Sequence, residues 1–200
     1  MRHGKIHHRR LNSGIPEGAF KHSGRISRQQ LTTILGEEDL PNKPTNKLLY
    51  DAIRDRGTAY LMVFRELKAR YGEDEAKDVM RSASRAHGLY IGKSLAACAP
   101  RDFECMVRGF AKSPDDGSVF CPDIRRLDST CLEVKMMACP IKDAWVDAGC
   151  SQEEILTLLY CASALDEATL EAAGFDFEIE LWSPGQEGCC LTRITEKTEL

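Results

Sequence analysis

No stretch of this chain approaches the roughly 18 consecutive apolar residues that a membrane helix needs, and residues 1–10 are basic without an apolar segment behind them. These absences argue against a membrane span and a secretory leader, so no membrane partner is expected and the expected location is the cytoplasm. A dominant charge of either sign is also missing: 27 Lys and Arg against 31 Asp and Glu leave a formal net charge of -4. A nucleic-acid binder usually carries a basic field, and the whole chain has none, so no nucleic-acid partner is expected. No Gly-rich stretch links a strand to a helix, which removes the phosphate-loop and dinucleotide readings. No C-x-x-C pair occurs, which removes a zinc ribbon or finger.

What the chain does have is cysteine, nine residues at irregular spacings. A disulfide framework suits a short secreted chain, and a length of 200 residues is neither short nor accompanied by a leader. Reduced thiols are the expectation, most of them acting as small buried apolar residues. Hydrophobic residues, at 42%, suffice for one sizeable core.

Residues 1–46 form a basic extension that holds His3, His7, His8 and His22 among arginines and lysines, with a short helix expected over 27–35 and a linker at 41–44. Residues 47–197 form a single domain. A long helix begins near Thr45 or Asn46 and stops at Gly72. A second runs over 74–97, with Ala76, Val79, Met80, Ala83, His87, Tyr90 and Ile91 as its apolar stripe. The short connection predicts that the two pack as an antiparallel pair. A shorter helix over 102–112 leads to the turn Pro114-Asp115-Asp116-Gly117.

The period then becomes alternating. Strands are expected over 119–126 and 130–138, a helix from Pro140 to Gly149, and a helix capped by Ser151 with Glu154. A separate short helix follows over 166–173, then a terminal hairpin turning at Ser183-Pro184-Gly185. This order predicts an α+β fold, with an antiparallel sheet of about four strands, helices packed on one side and an N-terminal helical pair.

Residues 131–192 read CLEVKMMACPIKDAWVDAGCSQEEILTLLYCASALDEATLEAAGFDFEIELWSPGQEGCCLT. An acidic residue on a strand, a cysteine, a helix closed by Gly, a second cysteine followed by Asp, and a hairpin ending in Gly-x-Cys occur in that order. The positions are Glu133, Cys139, Gly149, Cys161, Asp166, Gly188 and Cys190. With the helical pair joined at Arg70-Tyr71-Gly72, this segment resembles the L-2-amino-thiazoline-4-carboxylic acid hydrolase family over residues 46–196. Trp182 departs from the family pattern, which leaves the substrate ring open. The resemblance implies ring-opening hydrolysis of a cyclic isothiourea that bears a carboxylate. That chemistry needs attack on an amidine-like carbon by water or a thiolate, a base for the attacking group, and a proton for the departing sulfur.

Cys139 precedes Pro140 at a helix start, where the macrodipole favours a thiolate. Cys190 follows the hairpin turn, and Cys161 lies on the inner face of its helix. Each is also readable as a buried structural thiol, as are Cys98, Cys105, Cys121, Cys131, Cys150 and Cys189. Glu133 is either the solvated side of its strand or a base and amidine partner. Six extended residues, or about 20 Å, separate it from Cys139, so its candidate partner is Cys190, subject to hairpin register. Asp166 is a helix cap or a catalytic carboxyl. His87 is a core histidine or a general acid–base. Lys135 or Arg193 could hold the substrate carboxylate.

A mixed-ligand zinc site from Cys139, Cys161, Cys190, His87 and Asp166 is an alternative, although the spacing matches no metal motif and no cofactor is expected. A non-catalytic small-molecule-binding or redox-sensing module is another. The expected partner is a small-molecule carboxylate substrate, and homo-oligomerisation stays open.

Overall fold

The computed structural model describes residues 46–198, all within one unit, Pro44–Leu200. The expected helix at 27–35, the His/Arg cluster and the linker at 41–44 lie outside the described residues. Helix α1 spans Asn46–Tyr71 and α2 spans Glu73–Gly92, separated by Gly72, whose φ of 91° ends the first helix where glycine alone is unstrained. A 3-10 turn (Lys93–Cys98) and a short helix α3 (Phe103–Met106) lead into a π-turn. The hairpin β1 (Pro122–Leu127) and β2 (Cys131–Met136) comes next. Then come α4 (Pro140–Asp147), α5 (Gln152–Ala173), β3 (Phe175–Glu180) and β4 (Leu191–Glu196). The four strands form one antiparallel sheet in the order β1-β2-β4-β3. This is the α+β architecture expected. Among the described residues, no helix is long and apolar enough to cross a membrane.

The strand registers sort the side chains into rows. Val134 faces Ile124 on one side and Thr192 on the other, and Thr192 faces Ile179; Leu132, Ile194 and Phe177 form the next row. Leu132, Val134, Thr192 and Ile194 are buried. Leu132, Ile194 and Phe175 share a cluster with Leu170 and Ala173 at the end of α5. A second cluster joins Leu61 and Phe64 of α1, Met80 of α2, Trp145 of α4 and Leu158 of α5. The intervening residues of the strands carry charge: Arg126, Glu133, Arg193 and Glu178 lie in one row across all four strands.

Three expectations need correction. First, the inward line of α2 is Ala76, Met80, Ser84, Gly88 and Gly92, not the stripe through His87. Val79 is 41% and Tyr90 77% exposed, and His87 is exposed too. The cause is close packing on α5, the main partner of α2. A Cβ at Gly88 would lie 2.1 Å from the Leu165 carbonyl oxygen, and one at Gly92 2.2 Å from that of Thr169. Two backbones this near each other select the smallest residues for the contact face.

Second, α5 is one helix of 22 residues rather than two. Ser151 caps it as expected, accepting from the Glu154 amide at 3.1 Å, and Gly174 closes it in the left-handed conformation. Nothing between Cys161 and Asp166 breaks a helix, so Asp166 stands in its interior and caps nothing. Third, Cys98 and Cys105 are not free thiols but form a disulfide, their Cα atoms 5.5 Å apart where the 3-10 turn meets α3.

Candidate active site

A cavity of about 170 Å³ opens on the inner side of the sheet. Helix α1 contributes Arg56 and Tyr60, one turn apart; α2 contributes Ser84; α5 contributes Ser163 and Asp166. The approach to α4 supplies Cys139, and the approach to β4 supplies Cys189 and Cys190, with Thr192 beyond them. Phe110, Phe120, Ile179 and Leu181 give the walls an apolar character. Small, largely apolar hollows with a few converging polar groups are the usual form of a small-molecule site.

The thiols are placed by backbone bonds. Cys189 N–H donates to the Met136 carbonyl at 2.7 Å, and Met136 N–H donates to the Cys190 carbonyl at 2.9 Å. Gly188, at φ 68°, permits this approach, because a Cβ there would lie 2.8 Å from the Met136 oxygen. The Lys135 ammonium donates to the Cys189 carbonyl at 2.8 Å. The two sulfurs of Cys189 and Cys190 end 3.6 Å apart.

These two thiols are driven in opposite directions. Hydrogen bonding to Cys139 and Cys190, together with burial, raises the pKa of Cys189. The Cys189 thiol as hydrogen-bond donor lowers that of Cys190; burial and the Asp166 charge oppose this, while the Trp182 backbone amide and Lys135 assist it. Of the two, Cys190 is the thiol whose surroundings favour the anion, and Cys189 the one whose surroundings favour the protonated form.

Asp166 projects from the middle of α5. No described residue donates a hydrogen bond to its carboxyl or ion-pairs with it. Burial pushes its pKa up to about 7, with Arg56 pulling it down and Glu167 pushing it up. Glu167 is itself engaged, accepting from Arg81 at 2.9 Å and from the Ser163 hydroxyl at 3.2 Å. A carboxyl walled by protein but open to a cavity is poised to exchange a proton near neutrality.

Of the six residues singled out by sequence, Cys139, Asp166 and Cys190 line this cavity, and Glu133, His87 and Cys161 do not. Glu133 bonds Arg193 at 2.9 Å on the far face of the sheet. Arg193 is thereby engaged there, and Lys135 is held by the Cys189 carbonyl, so neither lines the cavity as a carboxylate holder. Cys161 is buried against the Lys77 carbonyl at 4.0 Å, and burial raises its pKa. The five ligands of the zinc alternative are thus not brought together, and no group of three or more His, Cys, Asp or Glu among the described residues could hold a metal ion.

Sequence reasoning missed Arg56, Tyr60, Ser84, Ser163 and Thr192, and treated Cys189 as an ordinary thiol. Only the Cys189-Cys190 doublet was a visible signal.

A family model described as L-2-amino-thiazoline-4-carboxylic acid hydrolase matches residues 52–189, a span that includes Arg56, Cys139, Asp166 and Cys189 and ends one residue before Cys190. No curated protein and no solved structure matches the chain.

Proposed function

This chain belongs to the L-2-amino-thiazoline-4-carboxylic acid hydrolase family, and we propose that it opens the ring of a small cyclic isothiourea, with Cys190 as nucleophile and Asp166 as acid and then base. The Cys190 thiolate attacks the carbon that lies between the ring sulfur and the two nitrogens. The bond from that carbon to the ring sulfur breaks, and the departing sulfur takes the proton of Asp166. The substrate is then held to Cys190 through an isothiourea link, with its own thiol free. Water, deprotonated by the Asp166 carboxylate, attacks the same carbon and expels Cys190 as thiolate. The net change is addition of one water, giving an N-carbamoyl-cysteine-type product.

The observation that carries this reading is the meeting of Cys190 and Asp166 in one cavity with opposite protonation preferences, the thiol pulled towards its anion and the carboxyl towards its acid. Paired groups whose pKa values are pushed apart by their surroundings are how proteins assign acid and nucleophile at neutral pH. Cys189 supports the arrangement by donating to the thiolate.

The test is incubation of purified protein with 2-amino-2-thiazoline-4-carboxylate. One new thiol per substrate consumed, and a product heavier by one water, are the expected results. Absence of thiol release together with absence of any adduct on Cys190 by intact mass would overturn the reading.

A further inference from the structure

A ring that carries a carboxylate needs a cation at its binding cavity, and most basic side chains near this one are engaged. Lys135 is held by the Cys189 carbonyl at 2.8 Å. Lys142 is ion-paired with Asp143 at 3.0 Å and lies 5.3 Å from the centre of the Trp182 ring. Arg81 donates to the Tyr160 carbonyl at 2.6 Å and to Glu167 at 2.9 Å. Arg54 pairs with Asp147 at 2.5 Å.

Arg56 differs from all of these. It lines the cavity, and among the described residues no carboxylate is ion-paired with its guanidinium and no acceptor is hydrogen-bonded to it. It is exposed, which places it at the rim. Its backbone is nonetheless held firmly. The neighbouring Gly57 sits so close to α4 that a Cβ there would meet the Ile141 Cα and carbonyl oxygen, each at 3.0 Å. The buried Trp145 indole also donates to the Gly57 carbonyl at 2.7 Å.

We propose that Arg56 is the carboxylate anchor of the site, pairing with the acid group of the substrate so that small heterocycles bearing a carboxylate are selected over the same rings without one. This rests on the ring-opening reading for the fate of the ring, but the anion preference can be measured without turnover. A guanidinium offers two parallel N–H donors that match a carboxylate, which a point-charge ammonium does not.

The pairing also couples binding to chemistry. Asp166 is faced by Arg56 from α1, by Cys190 from the approach to β4, and by Glu167 on its own helix; of these, Arg56 alone favours its ionised form. A bound carboxylate that neutralises Arg56 pushes Asp166 further towards the protonated acid that the leaving sulfur requires.

The test compares 2-amino-2-thiazoline-4-carboxylate with 2-amino-2-thiazoline on the full chain and on Arg56→Gln and Arg56→Lys, by kinetics and by titration calorimetry. Arg56→Gln is expected to weaken binding of the carboxylate, and raise its KM, by about 10- to 100-fold, the range for a lost charge-assisted hydrogen bond. kcat should change much less, and the ring without the acid should bind as before. Arg56→Lys should recover part of the loss, and the upper pH limit of activity should rise in Arg56→Gln. Equal losses for both compounds, or a wild-type protein that does not discriminate between them, would overturn the assignment. Discrimination that is present in binding and lost in Arg56→Gln, in a protein that turns over neither compound, would sustain the anchor while refuting the ring-opening reading.

Discussion

Glu133 and Cys190 lie on opposite faces of the sheet. Glu133 pairs with Arg193 across β2 and β4, and Cys190 precedes Arg193 by three residues, an odd number that inverts the side. The carboxyl that the strand pattern offered as a partner for the thiol is on the outer face, in a charged row with Arg126, Arg193 and Glu178. The carboxyl that shares the cavity with Cys190 is Asp166, from a helix interior.

Glu133→Gln should therefore leave turnover within about two-fold of wild type. The cross-strand pair it breaks is partly exposed, with side-chain exposures of 20% for Glu133 and 50% for Arg193, so the stability loss should stay under about 1 kcal/mol. Steady-state kinetics and urea denaturation measure both. A loss of activity of a hundred-fold would return Glu133 to the site.

Cys190→Ser should reduce turnover by about a thousand-fold or more, as removal of a nucleophile does, with the circular dichroism unchanged. In the wild type, iodoacetamide near neutral pH should label Cys190 first, with protection by the thiazoline carboxylate. Uniformly slow labelling of all the free thiols would favour a purely structural role for the cluster.

Asp166 gives a stability signature with a definite sign. Its folded pKa of about 7 lies above the ordinary 3.8, so the folded state binds the extra proton between those values. Stability should fall as pH rises through that window, by about 1.4 kcal/mol per unit from this group, and level off above it. Asp166→Asn should remove that slope and lower turnover by about a hundred-fold or more, and the residual activity should lack the decline expected in wild type as the acid ionises above about pH 7. Denaturation midpoints and pH–rate profiles, compared between the two proteins, provide the check. An unchanged slope in the variant would mean that another group titrates there.

Gly88→Ala should be severely destabilising. The new methyl would stand 2.1 Å from the Leu165 oxygen and 2.9 Å from the Ala168 Cβ, and the backbone oxygen has no rotamer to escape into. Overpacking of this kind costs about 1–3 kcal/mol or more. Since Leu165 immediately precedes Asp166, activity should fall with stability. Thermal melting would detect the first, and a melting temperature equal to wild type would contradict the close packing of α2 on α5.

Much of this molecule was legible from local pattern. Gly72 ending one helix, Ser151 starting another, Pro140 at a helix start and the change from helical to alternating period at the first hairpin are decided by residues within a few positions of one another. So is the order of helices and strands that carries the family resemblance. Asp166 was misplaced because Asp before a helical stretch reads as a cap, whereas the run before it contains no breaker and the helix continues through it.

Local sequence sets this succession of elements, because backbone conformation answers to near neighbours. Tertiary structure alone decided which side of α2 turns inward, through Gly88 and Gly92 meeting the carbonyls of α5. It also decided which face of the sheet Cys190 occupies, through pairing with a strand some 60 residues away in the chain. Arg56, Asp166 and Cys190 come from three elements that have no common sequence period, and they meet because packing and register, both non-local, point them into one hollow.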